Sequence, residues 1–444
     1  MSKFKSYPEY KDSGIEWLGR VPKSWRPLPL KRAVEGCVNG VWGDEPSGQG
    51  DIVVIRVADF DYDMGLIKSD NLTLRRISVR DYNSRALRRG DLLIEKSGGG
   101  EKTLVGRVVF YDHDFMAVTS NFVARLRPLE GFLSKYLYYV FFNLYEKRLN
   151  YRSIKQTTGI QNLDTDHYLG EYSYFPSYRE QKQIACFLDH ETARMDELIA
   201  EQKRLIELLK EKRQAVISHA VTKGVDPNAP MKDSGIEWLG EVPEHWDIKK
   251  QKRLVRLVTR KIKTGQFYVA LENIESWTGC FIEAENIYEG EGVSFDKGDI
   301  LFGKLRPYLA KAWLADRAGI AVGDFFIIRT DLNEIDPEYL QKYLLTPSCL
   351  DFLNSTTIGA KMPRISWNVF SVLRVPVPPL GEQEAIVSIL NAEITKIDSL
   401  IKEAEKTIDL MKERRSALIS AAVTGKIDVR DWQPEKEVAE ALAS

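Results

Sequence analysis

Cysteine is scarce here: Cys37, Cys186, Cys280 and Cys349 are the four among 444 residues, widely scattered and with no CxxC pair. That spacing argues against a disulfide framework and against a cysteine-ligated zinc site. The five histidines, His113, His167, His190, His219 and His245, form no local metal pattern. No apolar run approaches the ~20 residues of a membrane span. The first five residues, MSKFK, lack the apolar core of a signal peptide. The expectation is a cytoplasmic protein with reduced thiols. Charge of one sign is missing too. Lys and Arg number 63 against 64 Asp and Glu, so no global basic field advertises nucleic acid, and any such surface must be local. Length alone suggests two to four domains.

Proline and glycine are absent from two long stretches, residues 180–221 and 382–423, around which the chain is organised. The two align without a gap at an offset of 202: Glu180-Gln181 on Glu382-Gln383, Asp196 on Asp398, Ala220-Val221-Thr222 on Ala422-Val423-Thr424. Apolar residues recur in steps of three and four, the a/d seam of a coiled coil. Met195, Ile199, Ile206 and Leu209 in the first copy, and Ile397, Ile401, Ile408 and Met411 in the second, are the helix-pairing candidates. Each stretch would span roughly 63 Å as one helix. Gly224 and Gly425 follow the ends, where a left-handed residue is expected. Ser177 and Glu180 could form a capping box.

A second repeat precedes each helix. Residues 11–25 (KDSGIEWLGRVPKSW) and 232–246 (KDSGIEWLGEVPEHW) match at twelve of fifteen positions. Trp17, Leu18 and Trp25, with Trp238, Leu239 and Trp246, read as packing anchors. The regions between motif and helix diverge but keep one plan: β-branched and aromatic runs bounded by Gly and Asp, a helix (residues 133–148; 337–343), then a polar loop (155–162; 355–364). The expected fold is α+β: two small domains separated by two long antiparallel coiled-coil helices, a tandem duplication with pseudo-two-fold symmetry. The boundaries are 1–178 and 223–380 for the domains, 179–222 and 381–425 for the helices, and 426–444 for a loosely held charged tail.

Catalytic signatures are weak. Residues 298–304 have phosphate-loop spacing, but Leu305 stands where Ser or Thr must bind magnesium. Asp91 with Glu95-Lys96 faintly suggests a metal nuclease, yet Gly303 replaces the acid in the second copy. No motif suggests bound S-adenosylmethionine. Local basic and amide groups are the better signal. Clusters sit at Arg75-Arg76, Arg88-Arg89 and Arg256–Lys263. The DNA-binding candidates lie in loops: Lys96, Ser97, Lys102, Lys155, Gln156, Thr157, Gln161 and Asn162 in the first domain, and Lys304, Arg306, Lys311, Lys361 and Arg364 in the second. Arg and Lys hold phosphate and guanine edges, and Gln and Asn read adenine. Any one alone is more simply a solvated surface group; their clustering in two equivalent loop sets is what points to DNA.

The repeated SGIEWLG-x-VP-x-x-W at Ser13 and Ser234, the run Val375-Pro376-Val377-Pro378-Pro379-Leu380-Gly381-Glu382-Gln383, and helices ending in AVTKG and AVTGK together resemble the specificity subunit of type I restriction-modification systems. The resemblance covers essentially the whole chain. It implies two target-recognition domains, each reading one half of a split, asymmetric site in double-stranded DNA. It implies helices that set the gap and dock two modification subunits, which bind S-adenosylmethionine and methylate adenine. Restriction subunits using ATP and magnesium would join for translocation and cleavage. The chain itself would be non-catalytic and hold no cofactor or metal. The alternatives are a coiled-coil scaffold without DNA readout and a stand-alone nuclease or methyltransferase.

Overall fold

The computed structural model describes residues 4–100, 103–157, 159–265, 267–283, 290–359 and 361–434. Two long helices, Tyr178–Lys223 and Leu380–Val423, run without interruption. Both end at glycines in the left-handed region, Gly224 (φ 79°) and Gly425 (φ 70°), as helix C-termini require.

The chain divides into two units, and each takes half of each long helix. The first comprises Met1–Gln202 with Thr407–Ser444; the second is Lys203–Lys406. Within the first unit, Asp196 meets Arg415 (3.2 Å) and Gln183 meets the Trp432 carbonyl (2.6 Å), so the two helix halves run antiparallel. Within the second, Arg213 meets Asp398 (3.1 Å) in the same sense. Met195, Ile199, Ile397 and Ile408 are buried on these seams, as are Ile206 and Leu209, while Ile401 and Met411 are half-buried.

The α/β domain of the first unit is built on an antiparallel sheet in the order Val108–Phe110, Leu92–Glu95, Val123–Pro128, Val34–Asn39. Beside it, Ala117–Thr119 pairs parallel with Ile52–Ile55, which pairs antiparallel with Thr73–Arg75. The second unit repeats the plan: Ala312–Leu314, Ile300–Gly303, Phe325–Thr330, Val255–Val258 form one sheet, and Tyr268–Val269 lies parallel to Gly319–Ala321 in another. Divergent sequences therefore share the main sheet and the parallel pair, while the next strand adds to Ile52–Ile55 in the first unit and to Gly319–Ala321 in the second. The helices Ser134–Glu146 and Pro337–Leu344 follow, and both pack into the main core of their unit.

In each domain a buried aspartate before the second-listed strand is held by an arginine from its neighbour. Asp91 accepts from Arg127 at 2.8 and 2.7 Å, and Asp299 accepts from Arg329 at 2.6 Å twice. The first pair disposes of the nuclease hint, because Asp91 is committed to an ion pair. Buried charge is retained only with such partners.

The repeated motif anchors each domain to its helices. Trp25 and Trp246 are fully buried; Leu18 and Leu239 lie beside them in the two main cores. The capping box is only half formed. The Glu180 amide donates to Ser177 Oγ (3.3 Å), but its carboxylate turns away to accept from Tyr7 Oη (2.7 Å) and Trp25 Nε1 (2.9 Å). A buried indole N–H competes better for that carboxylate than an N-cap amide that water can reach.

Two local expectations are corrected. Residues 155–162, read as a polar loop, form a hairpin: Ile154–Thr157 pairs with Ile160–Leu163, and Ser97–Gly98 adds on the other edge. The tail is not loose at its start. Lys5 bridges Asp428, Ile427 and Val429 are buried, and Trp432 packs edge-on against Phe187 at 5.3 Å. Apolar residues among the charges decide this, since Trp432 covers part of the helix that would otherwise face water.

Candidate nucleic-acid interface

In the first unit one small sheet gathers the candidates. Ser97 pairs with Asn162 and Gly98 with Gln161; on the outer strand Lys155 pairs with Asn162 and Gln156 with Gln161. Alternation sorts the middle strand, while the outer edge strand is open on both faces. Asn162, Lys155 and Gln156 are exposed, with Asn162 Oδ1 accepting from Ser97 Oγ (2.6 Å). Thr157 ends that strand. Gln161 is buried: its Nε2 donates to the Gly100 carbonyl (3.0 Å) and its Oε1 accepts from the Val105 amide (3.1 Å). It fixes the glycine loop and offers no free edge. Lys96 reaches Asn39 (2.5 Å) and Lys155 reaches Asp164 (2.7 Å). Lys102 lies outside the described residues.

In the second unit two loops distant in sequence meet. Leu305 and Ile358 both bridge to Arg364, and the Arg306 amide donates to the Pro363 carbonyl (2.8 Å). Arg306 and Ala310 both have φ of 50°, bracketing the turn Pro307–Leu309 with its exposed Tyr308. Two non-glycine residues held left-handed cost about 1–3 kcal/mol each. The buried Nε of Arg306 has no hydrogen-bond partner among the described residues. Arg364 and Lys304 share Asp324 (2.7 and 3.6 Å), and Lys361 is exposed beside Met362. Lys311 points inward, donating to the Leu271 carbonyl (2.7 Å), and burial lowers its pKa.

Of the basic clusters, Arg75, Arg85 and Arg89 are each paired with an acid of their own domain: Glu45, Asp81 and Asp112. What the sequence reading missed is a cavity of about 550 Å³ behind Ser97–Gly99, with Trp42 and Phe122 exposed in its walls and Glu95 buried within it. Burial pushes the Glu95 carboxyl up to about 7, against the Gly99 amide, the Arg107 charge and the Tyr62 hydroxyl, which all pull it down. The sequence offered Glu95 only beside Asp91, as a faint metal-nuclease hint, and nothing in it pointed to a cavity.

Residues 249–409 match the family model of the type I restriction modification DNA specificity domain. The type I restriction enzyme EcoDI specificity subunit of Escherichia coli is 26% identical over 285 residues, 59% of this chain and 63% of that one. The putative type I restriction enzyme MjaX specificity subunit of Methanocaldococcus jannaschii is 24% identical over 93% of this chain and 96% of its own length. A chain solved in work on complex assembly and conformational transition of the type I R-M system superposes with a TM-score of 0.66 at 15% identity, covering 91% of this chain and 98% of that one. Residues 249–409 thus match the type I DNA specificity domain, and over most of its length the chain is similar to type I specificity subunits. Its fold is similar to that of the solved chain at 15% identity. Among the described residues, no helix is long and apolar enough to cross a membrane.

Proposed function

We propose that this chain supplies DNA sequence specificity to a type I restriction-modification complex. Each α/β domain reads one half of a split, asymmetric site in double-stranded DNA, and the long helices set the gap. The observation that carries this is the contrast between frame and loops. The Trp-containing motif is duplicated at twelve of fifteen positions and the helices align without a gap, whereas one main-sheet topology presents unlike polar loops in the two units. Two unlike readers in one frame give preference at two places and indifference between them. The coiled-coil scaffold reading leaves the strained Arg306 loop without a purpose.

Within this reading, Lys96, Ser97, Lys155, Gln156 and Asn162 face DNA from the first domain, and Lys304, Arg306, Lys361 and Arg364 from the second; Lys102 and Thr157 remain candidates on sequence alone. Gln161 and Lys311 hold loops in place. A good bidentate contact discriminates bases by about 1–3 kcal/mol, so a few per domain suffice. The near-neutral chain binds modestly by itself, and partners complete the clamp.

The partners we assign are two modification subunits, which carry S-adenosylmethionine and methylate an adenine flipped from the duplex. Restriction subunits using ATP and magnesium act with them. No catalytic step falls to this chain. Leu198 and Leu208 are exposed on the first helix and Leu400 and Leu410 on the second, at the same 202 offset. Exposed leucines repeated by the duplication suit two copies of one partner.

Co-expression with the cognate modification subunit, followed by single-molecule sequencing for methylated adenine, tests the assignment. A split motif with a fixed gap is expected. An assembled, S-adenosylmethionine-binding complex that leaves no motif would overturn it.

A further inference from the structure

The buried carboxyl of the cavity behind Ser97–Gly99 has no counterpart at the matching place of the second reader. Glu95 pairs across the sheet with Val123, and Gly303 holds the matching place opposite Phe325. A side-chain carbon on Gly303 would come within 2.8 Å of Leu271 Cδ2, so the carboxylate's space is filled there by leucine. The buried carboxyl is thus a property of one reader and not of the shared frame.

Its walls have a particular chemistry. Phe122 is exposed, Trp42 carries the Arg75 guanidinium over one face at 4.5 Å and leaves the other for the cavity, and Ser97 and Asn121 add hydroxyl and amide groups. Arg56 also lines it, but its guanidinium is held by Asp59 through bonds of 2.7 and 3.2 Å. Glu95 is only 5% exposed. A carboxyl buried so far from water is costly unless donors surround it. The Gly99 amide and the Tyr62 hydroxyl supply two, against about four acceptor sites on its oxygens. The backbone is shaped to leave that carboxyl open. Gly98 sits at φ 139°, and a Cβ there would lie 2.9 Å from Glu95 Oε1. Thus no side chain stands between the carboxyl and the loop that the DNA-facing hairpin carries.

We propose that this pocket takes one base of the half-site read by the first domain, with Glu95 accepting from the exocyclic amino group of that base. The class is a cytosine, adenine or guanine, which carry an exocyclic amino group; thymine offers only its ring N3–H and is disfavoured. The cavity is large enough for a base, since ligand pockets run about 300–1,000 Å³. The Trp42 and Phe122 faces favour stacking, and a carboxylate accepting from an amino group is an established mode of base discrimination. The proposal rests on the DNA-reading assignment above.

The test maps methylated adenine in cells expressing the modification subunit with wild-type chain, Glu95→Gln or Trp42→Ala. Glu95→Gln keeps the shape but places an amide where an acceptor stood. One position in one half-site should lose about tenfold or more in discrimination, with the other half-site and the gap unchanged. Should Glu95→Gln fail to fold, Trp42→Ala carries the test, because an exposed side chain can be removed without loss of core. An unaltered motif in the folded variants overturns the pocket assignment alone. A wild-type complex that leaves no split motif overturns the DNA-reading assignment, and this one with it.

Discussion

Glu180 accepts from the indole N–H of Trp25 at 2.9 Å, and 202 residues later Glu382 accepts from Trp246 at 3.0 Å. Each bond ties the repeated motif of its unit to the first turn of a long helix. Both tryptophans are fully buried, so their N–H groups have no route to water. Glu180→Ala would strand the Trp25 N–H and the Tyr7 hydroxyl together. A loss of about 2–4 kcal/mol is expected in urea unfolding, at 1–3 kcal/mol per stranded group with partial relaxation. Glu180→Gln, which keeps an acceptor, should cost less than half as much. Equal losses for the two variants would show that the bond is incidental to the anchor.

The ion pair of Asp196 with Arg415 permits a sharper test. Arg415 is 8% exposed and stacks over Phe142 at 5.4 Å, and burial raises the Asp196 pKa. Removing one partner leaves the other charge uncompensated, whereas removing both leaves an apolar seam. Asp196→Ala alone should therefore destabilise the chain by about 3 kcal/mol, and the double variant Asp196→Ala, Arg415→Met by clearly less. A thermal unfolding cycle in which the double variant is the least stable would refute this.

The frame was legible in the sequence because duplication and periodicity are long-range signals. Forty-two residues without Pro or Gly can hardly be anything but helix, and twelve identities in fifteen fix the repeat. The reader strands were legible for the same reason that Leu92, Ile94, Ile300 and Phe302 are buried: they are apolar runs bounded by turns. The hairpin at Ile154–Leu163 was not. Its exposed Lys155, Gln156 and Asn162 are polar because one face is open, which reads as loop when the partner strand is polar too. Glu95 was set aside because Gly303 replaces it in the second copy; its neighbours Trp42, Arg56 and Phe122 are brought near only by folding. Which candidates point outward was equally hidden. Nothing in the sequence separates buried Gln161 from exposed Asn162.

Docking of modification subunits can be separated from folding. Leu208→Lys with Leu400→Lys changes two exposed residues of the second unit, so stability should move by less than about 0.5 kcal/mol. Co-purification with the modification subunit should nevertheless fall to one copy per chain or less, read by light scattering. Intact two-copy assembly would remove these leucines from the interface.

Arg306 is a position where stability and readout should move in opposite directions. Its φ of 50° is unfavourable for any side chain, and glycine would relieve it. Arg306→Gly should leave stability unchanged or raise it by up to about 1 kcal/mol, while relaxing base preference in one half-site only. If the variant lost stability and kept its motif, the strained turn would be a packing device and not part of the reader.

Glu95 sets a pH dependence whose sign follows from the direction of its shift. An ordinary glutamate ionises near 4.5, and burial holds this one at about 7 in the folded chain. Between those values the folded protein keeps a proton that the unfolded chain has released, so the stability this proton contributes falls as pH rises through the window and is gone above it. The penalty reaches about 3 kcal/mol by pH 8. The neighbouring groups Tyr62 and Arg107 do not interfere, since burial raises the Tyr62 pKa further above its ordinary 10 and an arginine stays charged throughout. Glu95→Gln carries no ionisation, so its stability relative to wild type should improve by about 2–3 kcal/mol between pH 5 and pH 8. Urea midpoints at the two pH values measure the difference. A constant offset between variant and wild type would mean that the carboxyl is as well solvated as an exposed one, and would leave the pocket without its buried acceptor.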